Sequence, residues 1–118
     1  MKLRYSLRLR MGNRNCYFGP GVEQILRLVD ETGSLQTASA QINMSYSKAW
    51  KIVKRAEREL GFKLMERHVG GSGGGFSRLT AKGLEFLNQY TNFRQELCAC
   101  ADQLFNKYFD VGDINEKN

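Results

Sequence analysis

Residues 34–80 contain the pattern that most restricts the fold of this 118-residue chain. A short helix is predicted to begin after Ser34, whose hydroxyl can cap it. A tight turn follows at Asn43, a residue type that tolerates the left-handed backbone conformation. Ser45 can cap a longer helix that ends at about Leu60. Two strands joined by the glycine-rich loop GGSGGG come next. This order predicts a helix-turn-helix followed by a wing.

Another helix is predicted ahead of this segment. It starts around Pro20, at the first helical position, where the missing N–H of proline costs nothing. Gly33 ends this helix as a C-cap. Apolar residues at helical spacing mark the core-facing sides of the first three helices. They are Val22, Ile25, Leu26 and Val29, then Leu35, Ala38 and Ile42, then Ala49, Val53, Ala56 and Leu60, with Trp50 and Ile52 beside the last stripe.

Residues 2–11 alternate apolar and polar side chains, which predicts a half-buried strand. Residues 12–15 form a turn cluster and residues 16–18 can return as a second strand, so we expect an N-terminal β-hairpin. A row of Arg lies on the polar face of the predicted strand. These side chains are either solvated or in contact with a DNA backbone, and the sequence leaves both possibilities open. They are Arg4, Arg8 and Arg10.

A long helix is predicted over residues 81–109, capped by Thr80. At about 1.5 Å per residue it would be roughly 44 Å long. Its apolar residues recur at spacings of four and three, which is typical of a coiled-coil seam. So small a domain cannot cover the whole seam, so we predict a dimer; the alternative is a helix folded back across its own domain. The predicted dimerisation residues are Phe86, Tyr90, Phe93, Leu97, Cys100 and Leu104.

The predicted fold class is mainly α with small β. Residues 1–79 form a winged helix-turn-helix domain with an N-terminal β-hairpin, residues 80–109 a long C-terminal dimerisation helix, and residues 110–118 a flexible tail. Within the wing, residues 62–69 are expected to form the first strand and residues 76–79 its partner.

Charge is distributed unevenly along the chain. Residues 1–79 contain 14 Lys and Arg against 6 Asp and Glu, a net charge of +8, whereas residues 80–118 contain 4 against 6, a net charge of −2. A basic body indicates a polyanionic partner. Lys48 lies near the start of the third helix, where a cation opposes the helix dipole unless an anion such as a phosphate arrives.

These features predict contact with double-stranded DNA through helix 45–60 and the wing, residues 63–79. Lys48 and Lys51 are the candidates for guanine edges, and Ser47 can contact a base or a phosphate. The predicted DNA-binding residues are Ser34, Ser45, Tyr46, Ser47, Lys48, Lys51, Lys54, Arg55, Arg67, Gly71, Ser72, Gly73 and Arg78.

Other classes of function find little support in the sequence. The three cysteines and the single His68 lack the spacing of a metal site. The glycine loop lacks the Gly-Lys-Ser/Thr ending of a nucleotide-binding loop. With no nucleophile–base arrangement, we expect neither an enzyme nor a bound metal or cofactor. No apolar run approaches the ~18 residues that span a membrane, so a cytoplasmic protein is expected.

Three stretches of the chain resemble the ModE-like, molybdate-dependent transcriptional regulators: FGPGVEQILRLVDETGS, MSYSKAWKIV and GGSGGGFSRLTAKGLEFL. More distantly, ERELGFKLMERHVGG and RLTAKG are similar to the helix-turn-helix of LysR-type regulators. The resemblance implies a homodimeric transcription factor on a two-fold operator. It assigns the contacts with DNA to the wing, residues 70–76, and to Ser45, Tyr46, Ser47, Lys48 and Lys51.

Full-length ModE proteins carry C-terminal molybdate-binding domains after the long helix. This chain ends at Asn118, where such a domain would begin. The resemblance therefore implies the DNA-binding domain without the molybdate-binding domains, and it gives little support to a small-molecule effector. Two further functions stay open: an oxyanion (molybdate) sensor, or a protein-interaction module, acting through the dimer helix.

Overall fold

The computed structural model describes residues 2–69 and 75–109. They form two small antiparallel sheets and four helices, and the mainly α fold with small β is confirmed. The predicted tail, residues 110–118, lies outside the described residues. The elements are β1 (Met11–Gly12), β2 (Cys16–Phe18), α1 (Pro20–Thr32), α2 (Leu35–Gln41), α3 (Tyr46–Leu60), β3 (Met65–His68), β4 (Phe76–Leu79) and α4 (Ala81–Phe109).

Local capping sets the helix ends where the sequence predicts them. Gly33 and Gly61 end α1 and α3 in the left-handed conformation, with φ of 73° and 84°. The hydroxyls of Ser34, Ser45 and Thr80 each accept a hydrogen bond from the backbone N–H three residues later, at 3.0, 3.1 and 2.8 Å. Each cap satisfies a backbone donor that would otherwise have no partner, so the predicted ends are confirmed.

The core lies between α1, α2 and α3, and the predicted apolar stripes face it. Ala38 and Ala49 are completely buried, and their small side chains allow α2 and α3 to pack closely. Ile42, Ile52 and Leu60 are only partly buried at its edge. The buried apolar residues of the three helices are Val22, Ile25, Leu26, Val29, Leu35, Ala38, Ala49, Val53 and Ala56.

The predicted N-terminal strand is largely absent. Only Met11–Gly12 pairs with β2, and residues 2–10 have no regular secondary structure. These residues lie along α4 instead: the ring of Tyr5 is 4.7 Å from that of Phe105, and Tyr90 donates a hydrogen bond to the carbonyl of Leu9 at 2.7 Å. The three-residue β2 offers no partner for a longer strand. Contact with α4 covers the alternate apolar residues only in part, since Leu3, Tyr5 and Leu7 stay 37%, 39% and 46% exposed.

The first strand of the wing is shorter than predicted, because Glu57 fixes the chain before it. The Glu57 carboxylate is buried and accepts hydrogen bonds from the N–H groups of Leu64 and Met65, at 2.8 and 3.2 Å. Residues 62–64 therefore pack against the domain, and pairing begins at Met65, opposite Leu79.

The start of α4 packs into the same core. Phe18 contacts the rings of Phe86 and Tyr90, with centroids 4.8 and 4.9 Å away. A Cβ on Gly83 would overlap the carbonyl oxygen of Leu64, so only glycine permits this close approach. Tyr90 is buried and Phe86 is partly buried against the core of their own domain. This packing leaves less of both side chains for contact with a second protomer, and their assignment to a dimer seam stays a prediction.

Candidate nucleic-acid interface

Helix α3 presents a polar, basic face away from the core. Because Ala49, Val53 and Ala56 are buried, the residues on the opposite side of the helix are directed outward. The exposed residues of α3 among the predicted DNA-binding set are Ser47, Lys48, Lys51 and Arg55, and the exposed Arg58 adds a further positive charge.

Positive charge also lies at the first turn of α3. The Ser45 hydroxyl accepts a hydrogen bond from the backbone N–H of Lys48, and the side chain of Lys48 is exposed. No acidic residue lies in this turn. The helix dipole and the lysine both favour an anion at this position.

The base of the wing is attached to this same end of α3. Arg67 on β3 donates a hydrogen bond to the hydroxyl of Tyr46, and its guanidinium lies 5.5 Å from the centre of the Tyr46 ring. Ser34 lines the same depression, together with Gly75 and Phe76. The structure thus brings Ser34, Tyr46 and Arg67 together between α2, α3 and the wing, although they are far apart in sequence.

The remaining predicted residues of the wing fall into two groups. Arg78 on β4 is exposed, with its guanidinium 5.9 Å from the centre of the Phe76 ring. Gly71, Ser72 and Gly73 lie outside the described residues. The described part of the wing is therefore its two paired strands, with Glu66 opposite Arg78 and Arg67 opposite Ser77.

Lys54 differs from the other lysines of α3. Its ammonium group is 3.1 Å from the carboxylate of Glu57 and 5.4 Å from the centre of the Trp50 ring. Part of its charge is therefore compensated within the protein, so we expect it to contribute less to DNA affinity than Lys48 or Lys51.

Trp50 is a surface residue that the sequence reasoning placed beside the core. Its side chain is 41% exposed and lies next to Tyr46, Ser47 and Arg67. At 100° per residue, position 50 is a quarter turn from the centre of the buried stripe, and this angle is the signal that could have identified it. Trp50 is also the only tryptophan of the chain, so its fluorescence can report on this surface.

Two other properties concern the described residues only. Within residues 2–69 and 75–109, no group of three or more His, Cys, Asp or Glu side chains could hold a metal ion. None of the helices described combines the length and apolar character needed to cross a membrane.

A helix-turn-helix with an exposed basic second helix, followed by a two-stranded wing, defines a winged-helix DNA-binding protein. The family model for bacterial regulatory helix-turn-helix proteins of the lysR family matches residues 24–84, which include α2, α3 and the wing. The match covers more than half of the chain, so the protein belongs to this family. It is a DNA-binding transcriptional regulator.

A curated relative supports the resemblance to ModE. The molybdenum transport protein ModE of Herbaspirillum seropedicae is 35% identical over 63 residues, which are 53% of this chain and 23% of the relative. The resemblance of this chain to the N-terminal part of ModE is confirmed. The chain spans about a quarter of that relative's length.

Solved structures support the fold. ArgP from Mycobacterium tuberculosis superimposes with a TM-score of 0.56 at 20% identity, covering 75% of this chain and 31% of ArgP. A point mutant of ZitR from Lactococcus lactis superimposes with a TM-score of 0.57 at 14% identity, covering 97% of this chain and 79% of ZitR. Both are winged-helix regulators, so the predicted fold class is confirmed.

Proposed function

We propose that the protein regulates transcription by binding a two-fold operator as a homodimer, with α3 in the major groove and the wing on the adjacent backbone. The observation that carries this proposal is the exposed basic face of α3, to whose first turn the wing is attached through Arg67 and Tyr46. This arrangement presents the helix and the wing to a duplex from one side.

Contacts with bases are assigned to the N-terminal half of α3. A recognition helix enters the groove with this end nearest the base edges. Ser47, Lys48 and Lys51 are exposed there, and a lysine can donate to both acceptors of a guanine. Ser45 and Tyr46 flank them.

Contacts with phosphates are assigned to the surrounding residues. Arg55 lies further along α3, Arg67 and Arg78 lie on the wing, and Ser34 lies between α2 and the wing. Such contacts fix the orientation of the protein and supply affinity without sequence preference. Lys54, already paired with Glu57, completes the set with a smaller contribution.

The dimer is assigned to the part of α4 beyond the core. Phe93 is 51% exposed and Leu104 is 49% exposed, and both belong to the predicted seam with Leu97 and Cys100. Covering them with the same helix of a second copy removes this apolar surface from water. Two copies joined in this way would present two α3 helices to half-sites about 34–36 Å apart.

The test is selection of binding sites from random-sequence duplexes, followed by measurement of affinity against salt. We expect enrichment of a two-fold sequence and a steep decrease in affinity with salt, because several phosphates are neutralised. Trp50 fluorescence should change on binding. If no sequence is enriched, the proposed specific binding is wrong.

The residue assignment is tested with Lys48→Ala/Lys51→Ala. Loss of contacts with base edges costs about 1–3 kcal/mol each, so binding to the selected site should weaken at least about tenfold. The matched control is Lys82→Ala/Lys107→Ala, which removes the same charge from α4. Equal losses in both double variants would show that only net charge matters.

A further inference from the structure

A second basic surface lies beside α3, on the side away from the wing. It is a groove bounded by the N-terminal segment, by the start of α1 and by one side of α3. We call it the arginine groove after three side chains that line it: Arg8 and Arg10 from the segment and Arg55 from α3. Tyr17 and Gly19 are also in its wall.

The groove concentrates positive charge without compensation. Among residues 2–69 and 75–109, no acidic side chain lines it. Within the described part of the chain, the ion pairs formed by Lys or Arg are Lys54–Glu57 and Arg94–Glu23, so none involves the three arginines. Three guanidinium groups around one groove repel each other, and an anion relieves that repulsion. Guanidinium donors match the geometry of phosphate oxygens.

The position of the groove relative to α3 identifies the kind of anion. Tyr46 and Trp50 are on the side of α3 that meets the wing at Arg67, whereas Ile52 and Arg55 are on the side that forms the groove. A major groove about 12 Å wide has one phosphate backbone along each edge. With α3 inserted, the wing lies at one backbone and the arginine groove at the other.

We propose that the arginine groove binds a backbone phosphate of double-stranded DNA, on the strand opposite the one that the wing contacts. This inference rests on the proposed function. It adds the N-terminal segment to the DNA interface and gives Arg8 and Arg10 a role. The irregular path of residues 2–10 matters for this role, because it brings both arginines to the start of α1.

The test compares two double variants of the whole chain on the duplex selected by the wild type. Arg8→Ala/Arg10→Ala removes two charges from the groove. Lys2→Ala/Arg4→Ala removes two charges from the same segment outside the groove lining, so it serves as the control. Circular dichroism and the thermal midpoint of each variant establish that it is folded.

We expect Arg8→Ala/Arg10→Ala to weaken binding about tenfold at low salt. It should also reduce the slope of log affinity against log salt by about two, because each of the two protomers of the proposed dimer loses its phosphate contact. The ranking of base substitutions within the site should not change, since phosphate contacts carry no direct sequence information. Phosphate-ethylation interference should disappear on only one strand of each half-site, at positions related by the two-fold axis of the operator. For the control, the slope of log affinity against log salt should differ from that of the wild type by less than about 0.5.

Three results would overturn the inference while leaving the proposed function intact. The first is a groove variant with the wild-type slope, and the second is a control that loses as much affinity as the groove variant. The third is calorimetric binding of inorganic phosphate or molybdate that the groove variant abolishes without any change in DNA affinity; the groove would then be a site for a free oxyanion. If the wild type itself selects no duplex, it is the proposed function that fails.

Discussion

The two halves of α4 carry the same apolar periodicity but have different surroundings. In the first half, Leu87 and Tyr90 are buried against the domain. In the second half, Leu104, Tyr108 and Phe109 are 49%, 69% and 53% exposed. A heptad pattern therefore identifies which side of a helix is apolar, but it does not identify what covers that side.

Polar contacts mark the place where α4 leaves the domain. Arg94 forms an ion pair with Glu23 of α1 at 2.9 Å, and Thr91 donates a hydrogen bond to the same carboxylate at 2.7 Å. The hydrogen bond with Glu23 raises the pKa of Arg94 above its ordinary value. The pKa of Tyr90 is also raised, mainly by burial. Beyond this point, Tyr5 covers part of the apolar face at Phe105, and Leu104 stays about half exposed.

The largest expected effect is on the buried half. Leu87→Ala should lower the free energy of unfolding by about 3 kcal/mol, because it leaves a cavity in the core. The measurement is denaturation by urea. The control is Leu84→Ala, at a position that is 37% exposed, where the loss should be below about 1 kcal/mol. If both variants lose a similar free energy of unfolding, the first half of α4 is not packed into the core through Leu87 as described.

A smaller effect is expected in the exposed half. Leu104→Glu should raise the dissociation constant of the proposed dimer at least about tenfold, or about 1.4 kcal/mol, because it places a charge in the apolar contact. Sedimentation velocity over a range of concentrations measures this change, and Gln103→Glu supplies the same charge on an exposed neighbouring position. If the wild type stays monomeric at every concentration, the exposed half of α4 does not form the proposed dimer.

The smallest effect concerns the N-terminal segment where it meets the exposed half. A hydrogen bond to the carboxylate of Asp102 raises the pKa of Tyr5 to about 12, from an ordinary value near 10. This contact favours the protonated phenol, so its contribution is complete below about pH 10 and is lost as the pH rises through about 12. At neutral pH, where the contribution is complete, Tyr5→Phe should lower the thermal midpoint only slightly, because Tyr5 is 39% exposed and water competes for the hydrogen bond.

The difference between the tyrosinate absorbance titrations of the wild type and of Tyr5→Phe isolates this one group. A midpoint near 12 is expected. A midpoint near 10 would show that the segment does not contact Asp102 in solution.

The parts of the fold that depend on local chemistry could be predicted from the sequence. Gly33, Ser45 and Thr80 determine helix ends through contacts within a few residues. The absence of a long N-terminal strand could not be predicted, because a strand needs a partner and the pattern of residues 2–11 does not show whether one is available. The need for Gly83 depends on the backbone of Leu64, which the sequence places 19 residues away.

The site shows the same limit. The basic face of α3 follows from periodicity, since every residue on it belongs to one helix. The contact of Arg67 with Tyr46, the exposure of Trp50 and the arginine groove depend on elements that meet only in the folded chain. Charge in the sequence indicated a polyanion, but not how the positive groups are arranged on the two sides of α3.

Glu57 has a consequence for the DNA shapes that the protein accepts. Because its buried carboxylate joins α3 to the backbone at Leu64 and Met65, we expect the helix and the base of the wing to move together. The separation between them would then change little. In the proposed complex, a duplex whose grooves do not fit this separation must itself bend or change width, at a cost that depends on its base sequence. Selection of an operator would then include the stiffness of base steps that no side chain touches.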